Sequence, residues 1–389
     1  MRWIYRCPSC GAEYPIAPGR YLCGPCASRN APGLPLYGVL ECAFESEARE
    51  MSSLGPGYIP LPVEKEYFPP LPVGDTPLWA PTRLRSELGF PELWLKDDTC
   101  EPSGSYKDRA SFLVAAFARK HSIEEVALAS TGNAASSMAC VGAAAGIKVT
   151  VFLPKSAPVA KRIQVLQYGA ELREIDGNYD LAFDTCLAYT NETGVLSRNT
   201  AYNPLTIEGK KTAAFEIVRD LKRAGLRAPD HVFVPTGDGV IIAGVIRGFE
   251  DLLLMGEIER MPKIWAAQAE GSSAIARALE SGRFEFRPSS TIADSISVDA
   301  PRNAYFALAK LKRHGGAGMI VSDEEILEAQ KLASSRAGLF AEPSSVCALA
   351  AFIKARTSIG KGEIAIVMLT GSGLKDIKNA AKAVGYEIR

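Results

Sequence analysis

Lys107 stands in the segment Glu101-Pro-Ser-Gly-Ser-Tyr-Lys-Asp-Arg109, where small hydroxyl residues lead to a lysine that opens the apolar stretch 110–119. If that stretch is a helix, the lysine sits at its positive end, and the cost of a neutral amine falls. A neutral amine is the form that condenses with a carbonyl. On spacing alone, an ordinary helix start with Lys107, Asp108 and Arg109 in solvent accounts for the pattern equally well. A second constellation lies at the chain start: Cys7-Pro-Ser-Cys10-Gly11 and Cys23-Gly-Pro-Cys26, two Cys-x2-Cys pairs with twelve residues between them. Four thiolates so spaced suit one tetrahedral Zn²⁺, and the turn-formers inside the pairs fit that use. The alternative is a pair of reduced, metal-free hairpins.

These residues need elements to position them. From about Leu93 onward, short β-branched runs (126–130, 149–153, 231–234, 264–267, 364–370) alternate with amphipathic stretches (134–145, 160–168, 209–224, 323–337). Such alternation predicts βαβ units and mainly parallel sheets. In parallel sheets, ligands bind beyond the carboxyl ends of the strands. Three loops there are rich in glycine and hydroxyls: Ser-Thr-Gly-Asn at 130–133, Pro-Thr-Gly-Asp-Gly at 235–239 and Thr-Gly-Ser-Gly at 370–373. Each suits close backbone approach by an anion, although any one alone could be a tight turn.

The 389 residues suffice for two or three domains. Lys plus Arg equals Asp plus Glu at 44 each, so no global field steers the chain toward nucleic acid. Only Arg2, Arg6, Arg20 and Arg29 are basic within 1–40, a thin footprint for a nucleic-acid-binding ribbon. No apolar run approaches the roughly 20 residues of a membrane span, and no secretory leader is evident, so a cytoplasmic location is expected. Residues 1–45 hold five of the nine cysteines and read as a zinc-ribbon-like segment. A proline-rich arm follows at 46–92, including Pro56, Pro60, Pro62, Pro69, Pro70, Pro72, Pro77 and Pro81. Cys42, Cys100, Cys140, Cys186 and Cys347 are scattered and read as small buried hydrophobes. His121, His231 and His314 share no metal spacing. Ser322 and Glu325 have capping-box spacing at the start of 323–337.

The lysine segment resembles the cofactor-lysine motif of fold-type II pyridoxal-phosphate (PLP) enzymes, in the form typical of the threonine synthase family. Ser-Thr-Gly-Asn-Ala at 130–134, Asn203-Pro204 with Glu208-Gly-Lys-Lys-Thr212, Pro-Thr-Gly-Asp-Gly at 235–239, Glu342-Pro-Ser-Ser345 and Thr370-Gly-Ser-Gly-Leu-Lys-Asp376 match further family signatures in the same order. The resemblance implies two doubly wound α/β domains around a PLP site, similar to the tryptophan synthase β fold. It assigns 93–118 and 199–389 to a large PLP-binding domain and 119–198 to a small mobile domain. It implies that Lys107 carries PLP and moves protons at the substrate's Cα and Cβ. Asn133 would meet the ring hydroxyl. The amides of Gly237, Asp238, Gly239, Val240 and Ile241 would cradle the phosphate, with Asp238 turned away. Thr370 would meet the pyridine nitrogen. Ser130, Thr131, Asn133, Ala134, Asn178 and Asn203 would bind substrate, and the small domain would close over it. The implied reaction converts O-phosphohomoserine to threonine in a homo-oligomer, a dimer. The alternative is a related lyase, dehydratase or β-replacement synthase acting on a non-phosphorylated amino acid.

Two positions depart from the family pattern. Gly177-Asn178-Tyr179-Asp180 is followed by Asp184, where the family carries a phosphate-binding arginine six residues after the asparagine. Glu101 stands where asparagine is usual. Two acids in one pocket would disfavour a phosphorylated substrate. Lys210, Lys211, Arg198 and Arg162 are the cations that could compensate.

Overall fold

The computed structural model describes residues 2–31, 33–44, 58–155 and 159–387. Most of the first third of the proline-rich arm, including Pro56, lies outside the described residues. The chain divides into two compact units, Met1–Gly74 with Glu101–Thr212, and Asp75–Cys100 with Ala213–Arg389.

The first unit holds two sheets. In the smaller one, Trp3–Arg6 pairs antiparallel with both Glu13–Pro15 and Glu41–Phe44. The larger is parallel throughout, in the order Glu171–Ile175, Lys148–Pro154, Glu125–Ala129, Leu196–Ser197. Lys148–Pro154 is buried at every position except Lys148. Such a near-continuous apolar run is what a parallel strand covered on both faces requires. Helices Asn133–Ala145, Val159–Gln167 and Tyr179–Thr193 supply the connections, and Lys107–Lys120 leads into Glu125–Ala129. The apolar core runs without a break from Tyr5, Cys7, Tyr21, Cys23 and Cys26 into Leu113, Val114, Leu128, Met138 and Leu196. The N-terminal sheet therefore shares the core of the parallel sheet and does not hang from it.

In the second unit, six strands run in the order Ala317–Val321, Lys263–Ala269, His231–Pro235, Ala365–Leu369, Leu93–Asp97, Leu78–Trp79. Only the last, at the edge, is antiparallel. Phe233 stacks on Trp265 at 5.2 Å and meets Phe352 edge-on at 5.5 Å, which fills the space beneath helix Pro343–Ala355. Helix Asp323–Ala337 begins with the expected capping box: Glu325 N donates to Ser322 Oγ at 3.2 Å, and Ser322 N to Glu325 Oε2 at 2.7 Å.

The parallel-sheet expectation holds, and the alternating runs fall on strands and helices within a residue or two of the expected ends, except that the helix expected from 209 begins at Thr212 after a 3-10 turn over Gly209–Lys211. Unit boundaries differ from the 93–118 and 119–198 division. Strand Leu93–Asp97 belongs to the second unit, while helix Lys107–Lys120 groups with the first. The reason is close packing. At Gly209 an added Cβ would lie 2.4 Å from Arg109 O, so the 205–211 segment sits directly on the lysine helix. Among the described residues, no helix is long and apolar enough to cross a membrane.

Candidate active site and metal centre

Lys107 is the first residue of helix Lys107–Lys120 and is half-buried, but its neighbours are not in solvent. Asp108 accepts from Ser103 N at 2.6 Å and from Ser103 Oγ at 2.5 Å, which folds the Pro-Ser-Gly-Ser approach back onto the helix start. Arg109 Nε lies 3.3 Å from Glu101 Oε1, with both side chains buried, and Arg109 Nη1 donates to Thr212 Oγ1 at 2.9 Å. Tyr106 Oη donates to Lys210 O at 2.5 Å. The solvated helix start is thereby excluded. Each charged neighbour of Lys107 is spent on fixing the turn that presents it. Ser105 Oγ, two residues before the lysine, is buried without a hydrogen-bond partner. A buried hydroxyl of this kind is costly unless a ligand or water completes it.

This network gives Glu101, one of the two acids that depart from the family pattern, a partner for its charge. Its carboxylate is neutralised by Arg109 and also accepts from Gly74 N at 3.2 Å. Asp184 is exposed on helix Tyr179–Thr193. Asn178 caps that helix, its Oδ1 accepting from Leu181 N at 3.0 Å. The compensating cations are engaged elsewhere: Lys210 donates to Thr206 O at 2.9 Å, Lys211 forms a buried ion pair with Glu208, and Arg162 pairs with Glu174. Arg198 is fully buried and donates to Thr200 Oγ1 at 2.7 Å. Both polar atoms of Asn203 are taken by backbone, Nδ2 by Ser197 O at 2.7 Å and Oδ1 by Leu205 N at 2.9 Å. Its side chain builds a turn.

The 130–134 loop follows strand Glu125–Ala129 directly, and Asn133 and Ala134 open helix Asn133–Ala145. Ser130 N is fixed to Phe152 O at 3.1 Å, and Ser130 Oγ accepts from Gly132 N at 3.2 Å. The first amides of this helix lack intrahelical acceptors, a geometry suited to a carboxylate.

In the second unit, 237–239 link strand His231–Pro235 to helix Val240–Leu254. A Cβ at Gly237 would lie 2.8 Å from Ile296 Cα, so backbone packs on backbone there. Gly239 has φ +85° and a methyl neighbour, Ala307, at 2.8 Å from the missing Cβ. Asp238 turns toward the start of helix Ala304–Arg313, its Oδ1 accepting from Arg302 N at 3.3 Å. That leaves Gly237, Val240 and Ile241 at the positive end of a 15-residue apolar helix, a fit for a phosphate. Thr370 directly follows strand Ala365–Leu369 and is anchored by its own amide, which donates to Ser345 Oγ at 2.7 Å.

The four cysteines form the cluster their spacing predicts: the Sγ atoms of Cys7, Cys10, Cys23 and Cys26 all lie within 4.8 Å of one another. Cys7–Cys26 and Cys10–Cys23 are separated by 3.8 and 3.5 Å. A tetrahedron with metal–sulfur bonds of about 2.3 Å has edges of roughly 3.8 Å, so the cage fits zinc. Burial raises the Cys23 thiol, but the Tyr14 hydroxyl at 3.2 Å and neighbouring amides and thiols outweigh it and bring the group to about 7. Burial and the adjacent sulfurs push Cys26 up to about 12. Of the other five cysteines, Cys42, Cys140, Cys186 and Cys347 are buried as expected. Cys100 is the exception: it is exposed, its Sγ on Asp97 O at 3.2 Å. His231 and His314 are structural, bonded to Trp265 and Glu250 respectively.

Residues 70–371 match the sequence model of the pyridoxal-phosphate dependent enzymes. A threonine synthase from Methanocaldococcus jannaschii is 35% identical over 332 residues, 84% of this chain and 81% of that protein. One from Methanosarcina acetivorans is 33% identical over 379 residues, 95% and 92% of the two chains. Among solved structures, maize serine racemase superposes with a TM-score of 0.68 at 22% identity, over 78% of this chain and 89% of that one. The processed form of threonine deaminase isoform 2 from Solanum lycopersicum superposes with 0.68 at 21% identity, over 86% and 98%.

Proposed function

We propose, for a chain that belongs to the threonine synthase family of pyridoxal-phosphate-dependent enzymes, that its reaction is the conversion of O-phosphohomoserine to threonine. The observation that carries the reading is the half-buried Lys107, held at a helix start by the buried pairs Ser103–Asp108 and Glu101–Arg109. When bound, PLP supplies the electron sink that lets protons leave carbon. Lys107 carries the cofactor and, in this reading, moves protons at Cα and Cβ. Ser130, Thr131 and the amides up to Ala134 hold the substrate carboxylate at the start of helix Asn133–Ala145, and Asn133 meets the ring hydroxyl. The amides of Gly237, Asp238, Gly239, Val240 and Ile241 receive the cofactor's phosphate, and Thr370 faces the pyridine nitrogen. Asn178 and Asn203 bind on the substrate side, Asn203 through the turn that its side chain builds. Phosphate leaves from Cγ, which takes up a proton to become the methyl group, and water adds at Cβ, its oxygen becoming the hydroxyl of threonine. Zinc in the four-cysteine cage, a cytoplasmic location and a homodimer complete the proposal.

Borohydride reduction of the yellow holoenzyme is expected to fix the cofactor on the peptide containing Lys107, and labelling of another lysine would overturn the site. Release of phosphate from O-phosphohomoserine in step with threonine formation tests the substrate. Turnover confined to non-phosphorylated serine or threonine would replace it with the dehydratase alternative.

A further inference from the structure

Tyr21 lies between the two cysteine pairs, two residues before Cys23. Cys23 N donates to Gly38 O at 2.8 Å, and Leu22 bridges Val39, so the backbone on the C-terminal side of Tyr21 is tied to the cage. The Tyr21 ring is buried and rests on Tyr202 with centroids 4.9 Å apart. Its Oη leaves the ribbon altogether and accepts from Ser197 N at 2.8 Å, across 176 positions of sequence. Ser197 ends the edge strand Leu196–Ser197, which pairs with Glu125–Ala129.

Beyond Ser197 the chain makes a turn that is held from several sides. Asn203 Nδ2 donates to Ser197 O, and Asn203 N and Tyr202 N donate to Asn199 O at 3.1 and 3.2 Å. Inside this turn Ala201 is fully buried with φ +68°, a conformation an alanine holds only where its surroundings over-determine it. Asn199, also fully buried, then reaches back: its Oδ1 accepts from Ala129 N at 2.7 Å. Ala129 is the last residue of its strand, and the next residue is Ser130. The ribbon thus connects to the start of the 130–134 loop through Tyr21, the Ser197–Asn199 backbone and the Asn199 side chain, with every member buried and within one unit of the fold.

We propose that Tyr21 is a positioning residue for the 130–134 loop, and that filling the cysteine cage tightens the binding of the substrate carboxylate through it. Metal fixes the Cys23 backbone, Tyr21 Oη fixes Ser197, and Asn199 fixes the amide that sets where the loop leaves its strand. The proposal rests on the reading of this loop as the carboxylate site.

The test is Tyr21→Phe in the holoenzyme, which removes one oxygen and keeps the ring on Tyr202. Hydrogen exchange at Ala129 is expected to quicken roughly tenfold, about what one buried hydrogen bond sustains. KM for the amino-acid substrate is expected to rise several-fold while kcat and the cofactor's absorbance change less than about twofold. Tyr189→Phe is the control: its hydroxyl meets Glu125 Oε1 at 2.8 Å, at the other end of the same strand, and neither reading should move. Removing metal from the wild-type enzyme with a chelator should reproduce the faster exchange, which keeps the test open if Tyr21→Phe fails to fold. Wild-type protection at Ala129 in Tyr21→Phe, or after metal removal, overturns the proposal. Faster exchange with an unchanged KM overturns it too, by cutting the link to substrate. The carboxylate reading fails separately if substrate gives the amides at 130–134 no protection in the wild-type enzyme.

Discussion

The segment that presents Lys107 and the loop at 237–239 are both small-residue turns that open a helix, yet they are built from different material. The first is made of side chains. Glu101, Ser103, Tyr106, Asp108 and Arg109 each spend a polar or charged group on shaping the turn. The second is made of backbone, with Gly237 and Gly239 present because any Cβ would strike Ile296 or Ala307. Asp238, the only charged side chain there, faces away. A turn shaped by buried charge is sensitive to a change of charge and tolerant of small changes in volume. A turn shaped by backbone contact has the opposite sensitivity.

The sharpest way to break that contrast is Arg109→Met. It retains a side chain of similar length and removes the guanidinium that neutralises buried Glu101. Leaving one member of a buried ion pair alone costs about 3–5 kcal/mol, which denaturant unfolding would read as a marked fall in midpoint. The paired change Glu101→Gln with Arg109→Met is expected to recover much of the loss, because the stranded charge is gone. A single variant that loses less than about 1 kcal/mol would mean that charge does not hold this turn. Gly237→Ala comes next. The added methyl must displace backbone at Ile296, at a cost of about 1–3 kcal/mol, with weaker retention of the cofactor on dialysis. Asp238→Asn in the same loop should change retention little, and the reverse ranking of the two would show that charge, not backbone approach, shapes the loop.

The same distinction decides how far the sequence displayed these sites. Strand positions, the three loops and the cysteine cage were legible, because periodicity, glycine and paired spacing are local signals. The capping box at Ser322 and Glu325 was local in the same sense. The partner of each buried charge stayed hidden. Nothing in the spacing of Glu101 and Arg109 distinguishes a buried pair from two solvated groups, and Lys96, fully buried against Glu216 at 2.6 Å, lies 120 positions from it. Tyr21 gave no signal, since its contact with Ser197 joins segments far apart in the chain. Cys100 misled for the converse reason: composition favours burial of a free thiol, and a strand end placed this one at the surface. The two suspected acids belong with these cases, because the sequence showed their charge and not their surroundings.

Asp184 sharpens the comparison from its weak side. Unlike Glu101, it is exposed, on a helix whose start is organised by Asn178. An exposed carboxylate is surrounded by water and salt, and beyond a screening length of about 8 Å at physiological ionic strength its field on a phosphate is largely lost. Asp184→Ala is therefore expected to alter KM for O-phosphohomoserine by less than about twofold. Asp184→Arg distinguishes exposure from position. If the side chain projects away from substrate, the new guanidinium gains no bidentate contact with a phosphate and kcat/KM stays within the same range. If it lines the substrate site from the solvent side, replacing repulsion with a fork of donors would raise kcat/KM for the phosphorylated substrate by about tenfold or more and leave serine and threonine unaffected. That result would restore the acid as the residue that turned this chain away from a dianion, and it would mark a specificity position at the water-facing edge of helix Tyr179–Thr193.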